Sequence, residues 1–154
     1  MKGKTRLSEN EVLDFLTNVQ KIAHPRYRLA RYKHIISLIN KKHNNTILDL
    51  GCGIAPISCM LPRDNKIILM DNLTGRDFYY DGKAKLSASA DDYLPEIKNV
   101  DLNKRLPISD ESVDIVIASE VLEHIVNLNF LLDEIHRVLK KMDCFSVPFQ
   151  KCAV

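Results

Sequence analysis

The sequence predicts an α/β domain built on a doubly wound, mostly parallel sheet of about five strands. Three features carry that expectation. An apolar run from Ile47 to Leu50 holds one acid, Asp49, and stops at two glycines spaced by one residue, Gly51-Cys52-Gly53. This pattern is a buried strand followed by a tight turn. A second apolar strand, Lys66-Ile67-Ile68-Leu69-Met70-Asp71, ends in an acid, about twenty residues beyond that turn, where nucleotide-binding folds place a ribose-binding carboxylate. A further strand, Val113 to Ser119, leads into Leu128, Leu131, Leu132, Ile135, Val138 and Leu139 at helical spacing.

The bulk numbers agree with one domain of ordinary composition. The chain has 154 residues, 45% of them hydrophobic, and a net charge of +2, too small to imply a polyanionic partner by itself. Its cysteines, Cys52, Cys59, Cys144 and Cys152, form no Cys-x-x-Cys pair and show no metal-ligand spacing. No signal peptide and no apolar run of about 18 residues is visible, so a soluble cytoplasmic protein with reduced thiols, no membrane segment and no metal is expected.

At the N-terminus Ser8 and Glu11 fit a capping box, and Val12, Phe15, Leu16, Val19 and Ile22 follow at helical spacing. That helix should end before Pro25, which can open a second helix from its first turn. Leu29, Tyr32, Ile35, Ile36 and Ile39 give the second helix one apolar stripe. Its other face carries Arg26, Arg31, Lys33, His34, Lys41 and Lys42, and no acid occurs between Asp14 and Asp49. Such a face could attract the phosphates of a nucleotide, a sugar-nucleotide or an RNA; a solvated helix face is the plainer account.

After the glycine turn, Ile57 to Leu61 should form a short helix closed by Pro62. Between Asn72 and Glu96 the turn signals Thr74-Gly75-Arg76-Asp77 and Asp81-Gly82 flank an aromatic cluster, Phe78-Tyr79-Tyr80, which is either a substrate wall or a packed loop core. Ile97 to Leu102 reads as a short third strand ending Val100-Asp101-Leu102. Leu106-Pro107, the acidic turn Asp110-Glu111-Ser112, the strand 113–119, Glu120, Val121-Leu122-Glu123-His124 and the closing Arg137-Val138-Leu139-Lys140 complete the readable part.

Taken together, the glycine turn and this ordered series resemble the class I S-adenosylmethionine (SAM) dependent methyltransferases, specifically the small-molecule type 11 methyltransferase domain, over roughly residues 46–141. The resemblance implies a Rossmann-like fold, SAM as cofactor, S-adenosylhomocysteine (SAH) as product and a small-molecule acceptor. It places Gly51, Cys52 and Gly53 against the methionine part of SAM, and Asp49 on its amino group directly or through water. Asp71, with Asn72 beside it, would hold the ribose. Asp101 would accept from the adenine amino group, with Leu102 adding backbone contact and apolar packing. Ser119 and Glu120 would border the methionine moiety and the methyl group. Glu120, Glu123 and His124 are the nearest candidate bases for an acceptor that must lose a proton; a helix-capping or pocket-lining role for Glu123 and His124 is the alternative. The resemblance divides the chain into an N-terminal helical cap, 1–43, over a SAM-binding core, 44–154. No Asn-Pro-Pro-Tyr-like motif follows the fourth strand, which argues against amino-methyltransferases of DNA bases and glutamine.

One departure is visible. The Pro-Gly-Gly turn usual after Arg-Val-Leu-Lys is replaced by Lys141-Met142-Asp143, and Cys144 to Phe149 is the remaining candidate for a fifth strand. The sixth and seventh strands of the family sheet are expected to be missing, leaving an open edge that a homo-oligomer could cover. A truncated or frameshifted product, a chain completed by another subunit, and a naturally minimal domain all fit. A non-catalytic SAM-binding module is therefore a second reading. An NAD-dependent oxidoreductase is a third, weakened because Gly51 and Gly53 are followed by Pro56 rather than by a third glycine.

Overall fold

The computed structural model describes residues 8–14, 16–17, 24–39, 42–53, 55–72, 96–119, 121–141 and 152–153. Among the described residues five strands, β1 (Thr46–Leu50), β2 (Lys66–Asp71), β3 (Lys98–Asn99), β4 (Ile115–Ile117) and β5 (Cys152–Ala153), form one sheet in the order β3-β2-β1-β4-β5. Every pair is parallel. The chain runs outward from β1 through β2 to β3, then returns to the other side of β1 as β4. That reversal puts a topological switch point beside the carboxyl end of β1, where open α/β sheets bind ligands.

Strand β1 is covered on both faces, which is why its sequence is a continuous apolar run rather than an alternation. Ile47 points into a core shared with Ile67, Leu69 and Ile117 and with helices α1 (Glu9–Asp14) and α2 (Pro25–Ile39). Leu48 and Leu50 point the other way, into a core shared with Met70, Val116 and helix α3 (Leu128–Val138). The helices therefore lie on both faces of the sheet, the Rossmann-like arrangement expected.

Local chemistry explains the helix starts. The Ser8 amide and hydroxyl both donate to Glu11 Oε2, at 2.8 and 2.7 Å, and the Glu11 amide returns to Ser8 Oγ at 3.4 Å, a capping box at the head of α1. Pro25 is the first residue of α2, and its buried residues are Leu29, Tyr32, Ile35, Ile36 and Ile39, the stripe read from the sequence. Lys33 on its polar face pairs with Glu9 of α1 at 2.9 Å. Asn127 caps α3 by accepting from the Phe130 amide at 3.2 Å.

Five expectations change. The third strand is Lys98–Asn99 rather than 97–102, because Asp101 and Asn103 fold into a turn that carries Leu102 into the core. The fourth is Ile115–Ile117 rather than 113–119: Val113 bridges to Leu139, and the Asp114 carboxylate accepts the Thr46 amide at 2.8 Å. The residues pairing with β4 from the C-terminal end are Cys152–Ala153, beyond the run 144–149, which lies outside the described residues. On α3, Leu128 and Leu132 are exposed, and Glu134 takes a buried place between Leu131 and Ile135. The segment expected to be a short helix after the glycine turn is a 3-10 turn, Ser58–Met60. Phe15, Val19, Ile22, Lys41 and Phe78-Tyr79-Tyr80 lie outside the described residues.

Candidate functional site

The site begins where β1 ends. Gly51 and Gly53 both adopt left-handed backbone, φ +64° and +55°, and Ala55 does so at φ +57°. Glycine takes this region without penalty, whereas an L side chain there is strained, and such strain collects at ligand-binding turns. Gly51 has a second constraint. A Cβ on it would lie 2.4 Å from Val121 Cγ2 and 2.6 Å from Val121 Cβ, so the backbone of β1 and the Val121-Leu122-Glu123-His124 segment touch only because residue 51 has no side chain. Gly53 is different. A Cβ there would meet nothing within 4 Å, so open space stands over the middle of the turn.

Neighbouring strands hold the turn in place. The amides of Gly51 and Cys52 donate to the Met70 carbonyl at 2.8 and 3.2 Å, and the Ala55 amide donates to the Cys52 carbonyl at 2.7 Å. The Gly53 amide donates to Asp71 Oδ2 at 2.6 Å. Asp71, the last residue of β2 and 2% exposed, therefore fastens the end of its own strand to the glycine turn of the next. Asn72, which follows it, is exposed.

Asp49 is in phase with Ile47, on the α1–α2 side, and is 3% exposed. Its Oδ2 accepts the Ser58 hydroxyl at 2.7 Å. Burial pushes its carboxyl up to about 7, against the pull of the Ser58 hydrogen bond, and the nearby Asp71 charge adds to the rise. The same burial, with Asp49 and Asp71 beside it, raises the Cys52 thiol far above its ordinary range, so this cysteine packs as a small apolar group rather than as a thiolate.

Beyond the edge strand β3 Asp101 closes a turn. Its Oδ1 accepts the Asn103 amide at 3.0 Å and Asn103 Nδ2 at 3.3 Å, and Lys104 Nζ stands 3.3 Å from its Oδ2. The hydrogen bonds from the backbone and side chain of Asn103 hold its carboxyl below the usual carboxylate range. Leu102 is buried in the α3-side core. Ser119 follows β4 and is half-buried, Glu123 and His124 are exposed on the 3-10 turn Leu122–His124, and Glu120 lies outside the described residues. The structure thus gathers Asp49, Gly51, Cys52, Gly53 and Asp71 around the carboxyl ends of β1 and β2, with Asp101 and Ser119 following β3 and β4 at the same carboxyl end.

Sequence reading missed the residues that hold this arrangement together. Ser58 was not singled out, because a serine in a short apolar segment has no spacing signal. Nor was Glu134, whose buried carboxylate accepts the Leu106 amide at 2.8 Å and binds Arg137 Nε and Nη2 at 2.8 and 2.6 Å. Arg137 also donates to the carbonyls of Ile108, at 2.8 Å, and Leu106, at 3.1 Å, and to Asp110 at 2.5 Å. Hydrogen bonding to Arg137 chiefly, and to the Leu106 amide, holds the Glu134 carboxyl below its ordinary value. This clamp fixes the loop after Asp101 to α3. Glu134 and Arg137 stand three apart on one helix face, the spacing in the sequence that could have marked them.

Residues 48–145 match the methyltransferase domain family. The chain belongs to that family. SAM is the cofactor with which these methyltransferases work. Among solved structures, a proposed SAM-dependent methyltransferase from Methanococcus maripaludis shares 16% identity and the fold, with a TM-score of 0.54 over 91% of this chain and 64% of that one. A chain of the complex between the Haloferax volcanii Trm112 methyltransferase activator and a proposed methyltransferase matches at 20% identity and TM-score 0.55, covering 87% of this chain and 57% of that one. The [4+2]-cyclase SpnF matches at 20% identity and TM-score 0.52, covering 73% of this chain and 42% of that one. This methyltransferase domain therefore spans less than two thirds of each of those chains. No curated protein compared with it matches. Among the described residues, no helix is long and apolar enough to cross a membrane, and no group of three His, Cys, Asp or Glu side chains could hold a metal ion.

Proposed function

We propose that this methyltransferase domain binds SAM across the carboxyl ends of β1 to β4 and transfers its methyl group to a small-molecule acceptor. The observation that carries the reading is the junction of Asp71 with the glycine turn: the Gly53 amide on Asp71 Oδ2 at 2.6 Å, beneath open space at Gly53. The residues fit the cofactor chemically. A sulfonium nucleoside carrying an ammonium group needs close backbone approach and carboxylate acceptors, and Gly53, Asp49, Asp71 and Asp101 supply these.

In this reading Gly51, Cys52 and Gly53 lie along the methionine part, and Asp71 and Asn72 hold the ribose. Asp101 accepts from the adenine amino group, with Leu102 packed behind it. Asp49 acts on the ammonium group directly or through water, and its Ser58 hydrogen bond fixes the carboxylate plane. Ser119 and Glu120 border the reacting end. When bound, SAM supplies an electrophilic methyl group that the acceptor takes by in-line displacement, leaving SAH. The chain's own part is to orient the acceptor, exclude water and take a proton where the acceptor carries one. Glu123 and His124, exposed on their turn, stand close in sequence to Ser119 and can serve as that base once an acceptor covers them.

The SpnF likeness shows why the fold alone does not settle methyl transfer. Titration calorimetry with SAM, SAH and NAD tests the binding step. Binding of SAM and SAH without NAD is the expected result; NAD binding with no response to SAM would replace this reading with the oxidoreductase. SAH formation over a panel of small acceptors then separates an enzyme from a SAM-binding module that needs a partner chain.

A further inference from the structure

Asn103 belongs to none of the roles above, yet its amide joins two parts of the proposed site. Its backbone amide and Nδ2 both donate to Asp101 Oδ1, at 3.0 and 3.3 Å. Its Oδ1 accepts from the amides of Val126, at 2.9 Å, and Asn127, at 3.3 Å. Val126 and Asn127 connect the 3-10 turn bearing Glu123 and His124 to the first residue of α3.

The chemistry fixes which way the amide points. The Asp101 carboxylate only accepts, so it must face the NH2 end; two backbone N–H groups only donate, so they must face the carbonyl end. A carboxylate at 103 would oppose Asp101, and a side chain without polar atoms would release the Val126 and Asn127 amides and leave Asp101 the backbone amide alone. Asn127 also caps α3, so the donors held by Asn103 belong to the segment that sets where that helix begins.

We propose that Asn103 is a positioning residue that couples the adenine-binding acid Asp101 to the segment carrying Glu123 and His124. The proposal rests on the SAM reading, in which Asp101 is loaded when cofactor binds. A further hydrogen bond to that carboxylate, from the cofactor, then steadies it against the Asn103 amide, whose carbonyl holds Val126 and Asn127 in register. Cofactor occupancy beside β3 thereby orders the candidate bases that follow β4, across the switch point.

The test is hydrogen exchange on a peptide covering residues 122–130, with and without SAH, in the wild type and in the Asn103→Asp, Asn103→Ala and Lys104→Ala variants. In the wild type SAH is expected to slow exchange of the Val126 and Asn127 amides by fivefold or more, the lower end of typical site-to-site coupling. Asn103→Asp and Asn103→Ala should abolish that slowing while SAH still binds. Lys104→Ala, which removes the other contact to Asp101 and touches neither amide, should preserve it. The turnover counterpart is a fall in kcat with little change in KM for SAM. SAH binding with equal protection in the wild type and both Asn103 variants overturns the coupling and leaves the SAM reading intact. Failure of the wild type to bind SAH overturns both.

Discussion

Substituting alanine at Gly51 and at Gly53 separates packing from ligand space. Both residues sit in left-handed backbone, which costs an L-residue roughly 1–2 kcal/mol. At Gly51 the new Cβ also enters the volume of Val121, 2.4 Å from a γ-carbon. Val121 is branched at Cβ and buried, so it cannot rotate clear, and forcing apart such a contact adds about 1–3 kcal/mol. Gly51→Ala should therefore destabilise the domain by about 2–5 kcal/mol, and Gly53→Ala by only about 1–2, from the same constants. Urea denaturation reads both as midpoint shifts at constant m-value. Calorimetry should then invert the order of interest: Gly53→Ala keeps its fold but places a methyl group in the space over the turn, weakening SAH binding by about tenfold or more, near 1.4 kcal/mol. A Gly51→Ala/Val121→Ala double mutant should recover part of the loss, a favourable coupling in a double-mutant cycle. Equal destabilisation at the two glycines, with no recovery in the double mutant, would refute the close approach of the glycine turn to the Val121 segment.

Other residues give independent tests. Asp71→Ala removes the acceptor of the Gly53 amide, a bond to a charged group of the kind worth about 1.5–3 kcal/mol, and should weaken SAM binding at least about tenfold by calorimetry. Asp49 makes stability depend on pH. Its carboxyl titrates near 7 in the folded chain against 3.8 as an ordinary side chain, so between those values the folded state holds a proton that the unfolded state has lost. Its contribution to stability is greatest below pH 3.8, falls as pH rises and levels off above 7; denaturation of Asp49→Asn across this range should show a flatter profile. Arg137→Ala strands the Glu134 carboxylate beside the Leu106 amide and should lower stability by about 3 kcal/mol, since breaking one side of a buried pair is far costlier than losing a surface one. Lys141→Ala, which breaks only an exposed pair with Glu111, should leave the denaturation midpoint unchanged.

The parts legible in the sequence share a property: their signal is local. Strand β2 has the bounds its apolar run suggested, β1 begins one residue before its run at Thr46, and the α2 stripe is the buried set. The Ser8–Glu11 box and Pro25 mark helix starts through interactions within one turn. The illegible parts depend on distant partners. β3 pairs only where Met70 and Asp71 reach it. Val113 reads as strand but lies against Leu139, because the Asp114 side chain competes for the Thr46 amide that a longer ladder would use. Periodicity put Leu132 in the core; it is 46% exposed, while Glu134 is buried, because an arginine one turn on neutralises the carboxylate and hydropathy patterns do not register pairing.

By itself, then, the sequence determined the architecture and marked out the proposed site. Strand–glycine turn–strand spacing needs only backbone stereochemistry and burial to set a tight turn at the end of β1, and the ordered motifs carry the family. Only the tertiary structure decided how the site is held. Asp71 on the Gly53 amide, Ser58 on Asp49, Val121 against Gly51, Asn103 between Asp101 and Val126, and the Glu134–Arg137 clamp each join segments that the fold brings together. Such contacts are set by distance in space, and a periodic pattern along the chain contains no term for that distance.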